Sequence, residues 1–291
     1  MGGLLLVWVL GVWPPPVWWR GHWPSETAMM REAAGRREGG QAATRTRPVR
    51  PTPLAEISPA LQRMVVIGED SRFWTHHGID PVEIADALGL DGGQGPWGSV
   101  RTLWQRRDRM RGASTITQQL AKNLYLSPSR SLPRKAKEAV TALRLELALP
   151  KTRILELYLN VAEWGPGIWG AQEASRAYFG VPASRLDERA AAALAATLPH
   201  PRSSNPSFQP ERTLARRDLI LARYHGVDVY VPPEVEERDT MPEGPPVIVP
   251  AVDSSLYDSL PVAGPAAADA LDTLPIDAPP DTLSGTSDSL P

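Results

Sequence analysis

The sequence predicts a mainly α-helical protein. Between Ser114 and Gly226, apolar residues recur at the spacing of amphipathic helices, with glycine or proline following several of the segments. No alternation of apolar and polar residues persists beyond a few positions, so strands are not predicted. A hydrophobic content of 42% is sufficient for a buried core.

The charges divide the chain into a basic body and an acidic tail. The formal net charge is −2, but no Lys or Arg follows Arg238, whereas nine Asp and Glu residues do. Residues 1–238 therefore carry a formal charge of +7, which favours anionic partners. Because the chain contains no cysteine, disulfides, thiol catalysis and Cys-ligated zinc are excluded.

Composition divides the 291 residues into four segments. Residues 1–22 are apolar and Trp-rich, which is typical of a signal-peptide core, a shortened membrane anchor or a stretch lying on a membrane surface. Residues 23–53 are predicted as a linker and 54–230 as the folded domain. Residues 231–291 are predicted as an acidic, Pro-rich disordered tail.

Local signals place the first elements. Ser58 is a favourable N-cap before a proline, which predicts a helix over 58–69. A second start signal predicts a short helix over 80–88. Five glycines over 89–98 predict a flexible loop, and the segment 101–111 that follows it is strongly basic.

Six further helices are predicted from the recurrence of apolar residues every three or four positions. They are expected at 114–124, 132–149, 152–161, 171–179, 187–198 and 211–225. The glycine-rich segment 163–170 is expected to form a loop between two of these helices.

The first chemically unusual cluster is EDSRFWTHHG, from Glu69 to Gly78. It places two adjacent carboxylates at a predicted helix end, with His76 and His77 shortly after. A carboxylate there can act as a general base, as a metal ligand together with His76, or as half of a surface ion pair. Composition alone favours the ion pair.

The second cluster is GASTITQQLAKN, at 112–123. Hydroxyl groups at a helix start, together with free backbone N–H groups, suit an anion, and Lys122 adds a mobile positive charge. The alternative is an ordinary N-cap followed by a polar helix. Seven hydrogen-bonding or charged side chains between Ser114 and Asn123 argue against that alternative.

The third cluster is RSLPRKAKE, at 130–138. Arg134 and Glu138 are four residues apart, which by default makes a surface ion pair. Several cations around one glutamate would also form a phosphate site with a carboxylate inside it. These cations would hold Glu138 ionised at neutral pH.

These three clusters and the run RILELYLN at 153–160 resemble the motifs of the peptidoglycan glycosyltransferases, glycosyltransferase family 51. The corresponding family motifs are ED-x-x-F-x-x-H-x-G, G-x-S-T-x-x-Q-Q, R-K-x-x-E and I-L-E-x-Y-L-N. The four motifs occur in family order over 69–160, and the similarity extends over about 54–226.

The resemblance implies a lysozyme-like helical head lobe beside a smaller, membrane-apposed lobe, with lipid-linked substrates entering between them. Residues 54–230 would form the peptidoglycan glycosyltransferase domain. By motif position, Glu69 would be the catalytic base that takes the proton from the 4-hydroxyl of lipid II. Glu138 would assist at the diphosphate of the leaving group.

The resemblance also implies the remaining site residues. The cations that would neutralise the diphosphate are Lys122, Arg130, Arg134 and Lys135. The residues that would line the sugar and phosphate path are Ser114, Thr115, Gln118, Gln119 and Asn123. The residues that would shape the first motif at the substrate site are Asp70, Phe73 and His76. The candidate metal is Mg²⁺ or Mn²⁺ at the diphosphate near Glu138, and no other cofactor is expected.

The expected partners are lipid II, the growing lipid-linked glycan chain, the membrane and other cell-wall synthesis proteins, but not nucleic acid. The expected location is the bacterial cytoplasmic (inner) membrane, with the catalytic domain on the periplasmic side. The transpeptidase motifs S-x-x-K and K-T-G are absent from the sequence, which predicts a monofunctional enzyme.

Two alternative functions remain open at this point. A lysozyme-like enzyme that cleaves glycan strands would need a carboxylic acid in an apolar pocket and no diphosphate site. A basic scaffold that binds anionic lipid would explain the charge excess but would not require Glu69.

Overall fold

The computed structural model describes residues 11–38, 50–82, 114–126 and 131–232, and eight α-helices account for most of them. In chain order these helices are α1 (Ala28–Glu38), α2 (Pro59–Glu69), α3 (Ile116–Tyr125), α4 (Leu132–Ala148), α5 (Lys151–Val161), α6 (Ala171–Phe179), α7 (Glu188–Thr197) and α8 (Glu211–Tyr224). Short 3₁₀ helices occur at Pro16–Arg20, Leu54–Glu56 and Ala183–Arg185. The prediction of a mainly α-helical fold is confirmed.

Local chemistry explains where several helices begin and end. Helix α2 starts at Pro59, directly after Ser58, as predicted, but the Ser58 side chain does not cap the helix and donates instead to the backbone oxygen of Leu186. Helix α7 starts after Asp187, whose side chain accepts a hydrogen bond from the backbone N–H of Ala190. Helix α6 ends at Phe179 and is followed by Gly180, which adopts the left-handed conformation with φ of 71°.

Residues 163–170, predicted as a loop, contain the antiparallel strands β1 (Glu163–Gly165) and β2 (Ile168–Trp169). The expectation that this segment is only a loop is therefore wrong. Strands of three and two residues are too short for alternating polarity to appear in the sequence.

The sequence does not predict helix α1, which lies in the segment 23–53 assigned to a linker. The side chains of Met30 and Ala33 are buried, and the helix packs against α3. Because only these few apolar positions face the core, the surrounding Gly and Arg residues hide the helical pattern.

An N-terminal strap, residues 16–23, crosses the helices that carry the second and third motifs. The buried Trp19 donates a hydrogen bond from its indole nitrogen to the hydroxyl of Tyr125 at the end of α3 (2.6 Å). Burial raises the pKa of Tyr125 to about 12. Tyr125 is therefore neutral at physiological pH, and its hydroxyl oxygen accepts the hydrogen bond from Trp19.

Two arginines hold this strap against the body. Arg20 donates a hydrogen bond from Nε to the backbone oxygen of Ala148, at the end of α4. Arg153, on α5, donates to the backbone oxygens of Trp19 and His22, both at 2.8 Å.

None of the helices within the described ranges combines the length and apolar character needed to cross a membrane.

The helices pack in two groups around a continuous apolar core. Helix α3 packs against α1, α4 and α5, whereas α2 packs against α7 and α8. The end of α2 and the start of α3 meet, and this junction brings the first and second motifs together.

Some predicted elements cannot be compared with the structure. In the helix predicted at 80–88, only Asp80, Pro81 and Val82 are described; Pro81 and Val82 are helical, and Asp80 directly precedes them. The loop at 89–98, the basic segment at 101–111 and the tail from residue 233 onward lie outside the described residues.

Candidate active site

Glu69 is the last residue of α2 and carries a buried carboxylate, with 8% of its side chain exposed. One oxygen, Oε2, accepts a hydrogen bond from Nε2 of Gln119 on α3 (3.0 Å). The other, Oε1, lies 3.6 Å from Nη2 of Arg216 on α8. Three helices thus fix the position of this carboxylate.

Gln119 connects Glu69 to a further helix. Its amide oxygen accepts a hydrogen bond from the hydroxyl of Tyr158 on α5, at 2.7 Å. Its amide nitrogen also donates to the backbone oxygen of Ser114, at 3.5 Å. Gln119 therefore lies at the centre of the junction, as its place in the second motif suggests.

Arg216 lies at the candidate site but belongs to none of the sequence motifs. Its guanidinium donates to the backbone oxygens of Gly68 and Pro232, and the residue is only 3% exposed. A buried arginine needs such partners because an isolated charge is costly to remove from water. The available signal is the pair Arg216-Arg217 in an amphipathic helix, where two adjacent residues cannot both point directly away from the core.

Asp70 and His76 form a buried pair that joins the first motif to α3. Nε2 of His76 lies 2.9 Å from both oxygens of Asp70, and Nδ1 accepts a hydrogen bond from the backbone N–H of Gly78 (3.1 Å). Nδ1 is therefore the unprotonated nitrogen, and Nε2–H donates to Asp70. Since both ring nitrogens are engaged, the alternative of His76 as a metal ligand does not fit.

Phe73 is fully buried and has a supporting position. The ammonium group of Lys151 lies 4.4 Å from the centre of its ring and also pairs with Glu146 at 2.7 Å. A cation over an aromatic face is a stabilising contact. Within the first motif, Phe73 is therefore the side chain that packs in the apolar core.

The start of α3 is capped by the protein itself. Thr115 accepts a hydrogen bond from the backbone N–H of Gln118, and the Gln118 side chain accepts one from the backbone N–H of Thr115, which is a capping box. The backbone N–H of Ile116 donates to Asp70 at 2.9 Å. The expectation of a substrate anion at this helix start is corrected, because the carboxylate of Asp70 occupies that position.

A second carboxylate, Glu138 on α4, lies among cations. Its oxygens are 2.8 Å from Nη1 of Arg134 and 2.5 Å from Nζ of Lys135, and its side chain is 3% exposed. The same ammonium group donates to the hydroxyl of Ser114 at 2.7 Å. The default expectation of a surface ion pair is therefore wrong, because this pair is buried on the carboxylate side.

Three of the predicted site residues remain to be located, namely Lys122, Asn123 and Arg130. Lys122 is half-buried and Asn123 is buried, both on α3. Arg130 lies outside the described residues. Within the described part of the chain, the structure thus brings Glu69, Gln119 and Ser114 into one set of contacts.

The residues around Glu138 do not fit the expected Mg²⁺ or Mn²⁺. Both carboxylate oxygens are engaged by cationic side chains, whereas these metals need several oxygen ligands. Among the described residues, no group of three or more acidic or histidine side chains could hold an ion.

The two carboxylate clusters are joined by direct contacts. Gln119 contacts both Glu69 and the backbone of Ser114, while the Ser114 hydroxyl contacts the Lys135–Glu138 pair. One carboxylate fixed by donors can accept a proton, and neighbouring cations can stabilise negative charge on a leaving group. This combination suits the transfer of a sugar from a phosphate-bearing donor.

Comparison with known proteins assigns this arrangement to a family. A family model described as Transglycosylase matches residues 38–225. Three similar proteins bear the name biosynthetic peptidoglycan transglycosylase. The protein from Azoarcus sp. (strain BH72) is 42% identical over 230 residues, covering 78% of this chain and 92% of that protein. The protein from Laribacter hongkongensis (strain HLHK9) is 38% identical over 224 residues, covering 76% of this chain and 90% of that protein. The protein from Thiobacillus denitrificans (strain ATCC 25259 / T1) is 40% identical over 225 residues, covering 77% of this chain and 90% of that protein.

The matched range contains all four sequence motifs and ends within one residue of the end of α8, so it includes Arg216 as well as Glu69 and Glu138. The chain therefore belongs to the transglycosylase family.

Proposed function

We propose that this protein is a peptidoglycan glycosyltransferase that polymerises lipid II into glycan strands and has no transpeptidase activity. The observation that carries the proposal is the buried Glu69 carboxylate, held by Gln119 and Arg216 beside the Lys135–Glu138 pair. Family membership and the names of the similar proteins support the same function.

In the proposed reaction, Glu69 accepts the proton of the 4-hydroxyl of an acceptor lipid II. The freed oxygen forms a bond to the anomeric carbon of the lipid-linked chain. The bond from that carbon to the diphosphate breaks with inversion, and its electron pair leaves with undecaprenyl diphosphate. A base on one face of the sugar and charge stabilisation on the other suit such a displacement.

Arg134 and Lys135 are proposed to stabilise the diphosphate as its negative charge develops. Glu138 holds both cations in place before substrate arrives. Fixed charges are most effective in catalysis when they need no rearrangement during the reaction. Glu138 therefore acts in this proposal by positioning the cations.

The proposed function is tested by supplying purified protein with lipid II and separating the products by size. Wild-type protein should form polymer, and Glu69→Gln should lower the rate by at least about 100-fold because the base is lost. Glu211→Gln, at an exposed position in the first turn of α8, is the matched control and should retain activity. Full activity of Glu69→Gln would contradict the proposed base.

The family assignment favours this function over the two alternatives. A glycan-cleaving enzyme would release fragments from preformed cell-wall glycan, so incubation with that material separates hydrolysis from polymerisation. A scaffold for anionic lipid would bind lipid II and anionic vesicles equally and form no polymer.

We also propose that the protein works at the membrane surface, because its substrates are carried by lipid. It then acts in the cell envelope, on the periplasmic side of the cytoplasmic membrane. Supporting this, the 3₁₀ helix Pro16–Arg20 and helix α4 pack against each other and carry the exposed apolar side chains Val17, Trp18, Leu143 and Leu147, which are called the apolar surface below. Tryptophans and nearby arginines are typical of segments that lie in a membrane interface.

A further inference from the structure

Gln119 has polar contacts at both ends of its side-chain amide. Its oxygen accepts from the hydroxyl of Tyr158 at 2.7 Å, and its nitrogen donates to Glu69 at 3.0 Å and to the backbone of Ser114 at 3.5 Å. A primary amide has two N–H donors, and here both are engaged within the protein. These contacts make Gln119 a support for Glu69.

Tyr158 determines which end of the amide faces the carboxylate. An ionised carboxylate only accepts hydrogen bonds, so Glu69 requires the NH₂ end of Gln119. The hydroxyl of Tyr158 donates to the opposite end and stabilises that orientation. Because Tyr158 is only 1% exposed, bulk water has little access to replace its hydroxyl.

We propose that Tyr158 is a positioning residue for the general base, acting through Gln119 to fix the Glu69 carboxylate and to favour its ionised form. The inference rests on the proposed function, in which Glu69 takes a proton from lipid II. It reassigns Gln119 from the substrate path to the support of the base, and it adds α5 to the elements that build the site.

The charged surroundings of Glu69 determine the direction of the expected pH effect. Arg216 approaches from α8, Asp70 follows in the chain, and the Lys135–Glu138 pair lies beyond Ser114. A donated hydrogen bond stabilises the ionised carboxylate. Weakening the bond from Gln119 should therefore raise the proton affinity of Glu69, and a higher pH would be needed to keep the base ionised.

The test is Tyr158→Phe in the full chain, with the rate of lipid II polymerisation measured across pH. We expect kcat to fall roughly 10-fold, with KM changed less than about twofold, because one hydrogen bond to the support of the base is lost. The acidic limb of the pH profile of kcat/KM should move to higher pH by about half a unit.

Tyr178→Phe is the matched control. The hydroxyl of Tyr178 is also buried and donates to the backbone oxygen of Trp164 at 2.8 Å, away from Glu69. Both variants lose one buried hydrogen bond, so both should lose a similar amount of thermal stability. Only Tyr158→Phe should shift the acidic limb and lower kcat.

Gln119→Leu provides a second, independent test of the role proposed for Tyr158. It should produce a shift in the same direction, and adding Tyr158→Phe to it should cause no further shift, because Tyr158 acts through Gln119. Should either single variant retain the wild-type limb, or should Tyr178→Phe shift it equally, the inference is overturned. Failure of wild-type protein to make polymer would instead overturn the proposed function.

Discussion

At the scale of single residues, the pair of Asp70 and His76 shows a buried carboxylate surrounded by hydrogen-bond donors. Asp70 accepts from His76 and from the backbone N–H of Ile116, so its two oxygens face donors only. It thereby satisfies a group at the start of α3 that would otherwise be exposed to an anion or to water.

Asp70→Asn should destabilise the protein by about 1–3 kcal/mol. The amide has one NH₂ end, which would face either the N–H of Ile116 or the N–H of His76, so one donor meets another donor. The free energy of unfolding in urea measures the effect.

Asp187→Asn is the matched control for this substitution. Asp187 caps α7 at an exposed position by accepting from the backbone N–H of Ala190. Asparagine caps a helix about as well as aspartate, so the change should be within about 0.5 kcal/mol. Equal destabilisation by both substitutions would contradict the role assigned to Asp70.

Residues within a local sequence motif could be identified from the sequence, whereas a residue joined to the site only by a long-range contact could not. Glu69 and Glu138 could be identified as candidate site residues because residue types at fixed local spacing define their motifs. Arg216 could not, because its contact with Glu69 joins residues 147 positions apart, and that pairing depends on how α2 packs against α8. Sequence patterning reports which face of a helix is buried but not which helix covers it.

At the scale of elements, Gly78 of the first motif lies closely packed against α4. It has φ of 91°, and a Cβ there would lie 3.1 Å from the backbone of Ala142 and from Cγ of Glu146. Its backbone oxygen also accepts a hydrogen bond from Thr115, the N-cap of α3. One turn therefore sets the spacing of two helices at the site.

Gly78→Ala should lower the free energy of unfolding by about 2–4 kcal/mol. Alanine is strained at this positive φ, and its Cβ would be overpacked against α4. Polymerisation should fall with it, because the start of α3 would move. Gly180→Ala is the control: its φ is 71° but nothing lies within 4 Å of the added Cβ. That change should cost only about 1 kcal/mol and leave activity intact. Similar costs for both would contradict the close approach.

Most helices of the described chain could be predicted because each has a long apolar face and a recognisable start or end. Helix α1 and the β1–β2 hairpin could not be predicted, for different reasons. In α1 only a few apolar residues, among them Met30 and Ala33, are buried, which is too few to reveal a helical pattern. The strands of the hairpin are too short to show an alternating pattern. Thr115 and Gln118 form a capping box, which agrees with the alternative of an ordinary N-cap at this helix start.

At the scale of the whole molecule, the N-terminal strap builds one side of the exposed apolar surface. Arg20 and Arg153 hold the strap on the body, and its 3₁₀ helix packs against α4. Trp18 therefore lies on an element next to the one that carries Leu147. Trp18 is 47% and Leu147 is 85% exposed, so large side chains on both elements face solvent.

Single exposed apolar residues are common on soluble proteins, but several on adjacent elements mark an interaction surface. The proposed lipid-bearing substrate favours a membrane as the partner of this surface, and Arg20 beside it suits anionic headgroups. The same helix α4 carries Arg134, Lys135 and Glu138, so membrane contact would bring the proposed diphosphate site towards its substrate.

The double substitution Trp18→Ser with Leu147→Ser should weaken binding to phosphatidylglycerol vesicles. Partial burial of each side chain in the interface contributes about 1 kcal/mol or more, so the lipid concentration for half-binding should rise at least roughly 10-fold. Vesicle co-sedimentation of the full chain measures it. Val227→Ser with Tyr230→Ser, which replaces exposed apolar residues after α8, is the control and should bind like wild type. If both double variants bound vesicles equally, the apolar surface formed with the strap would not be the membrane contact.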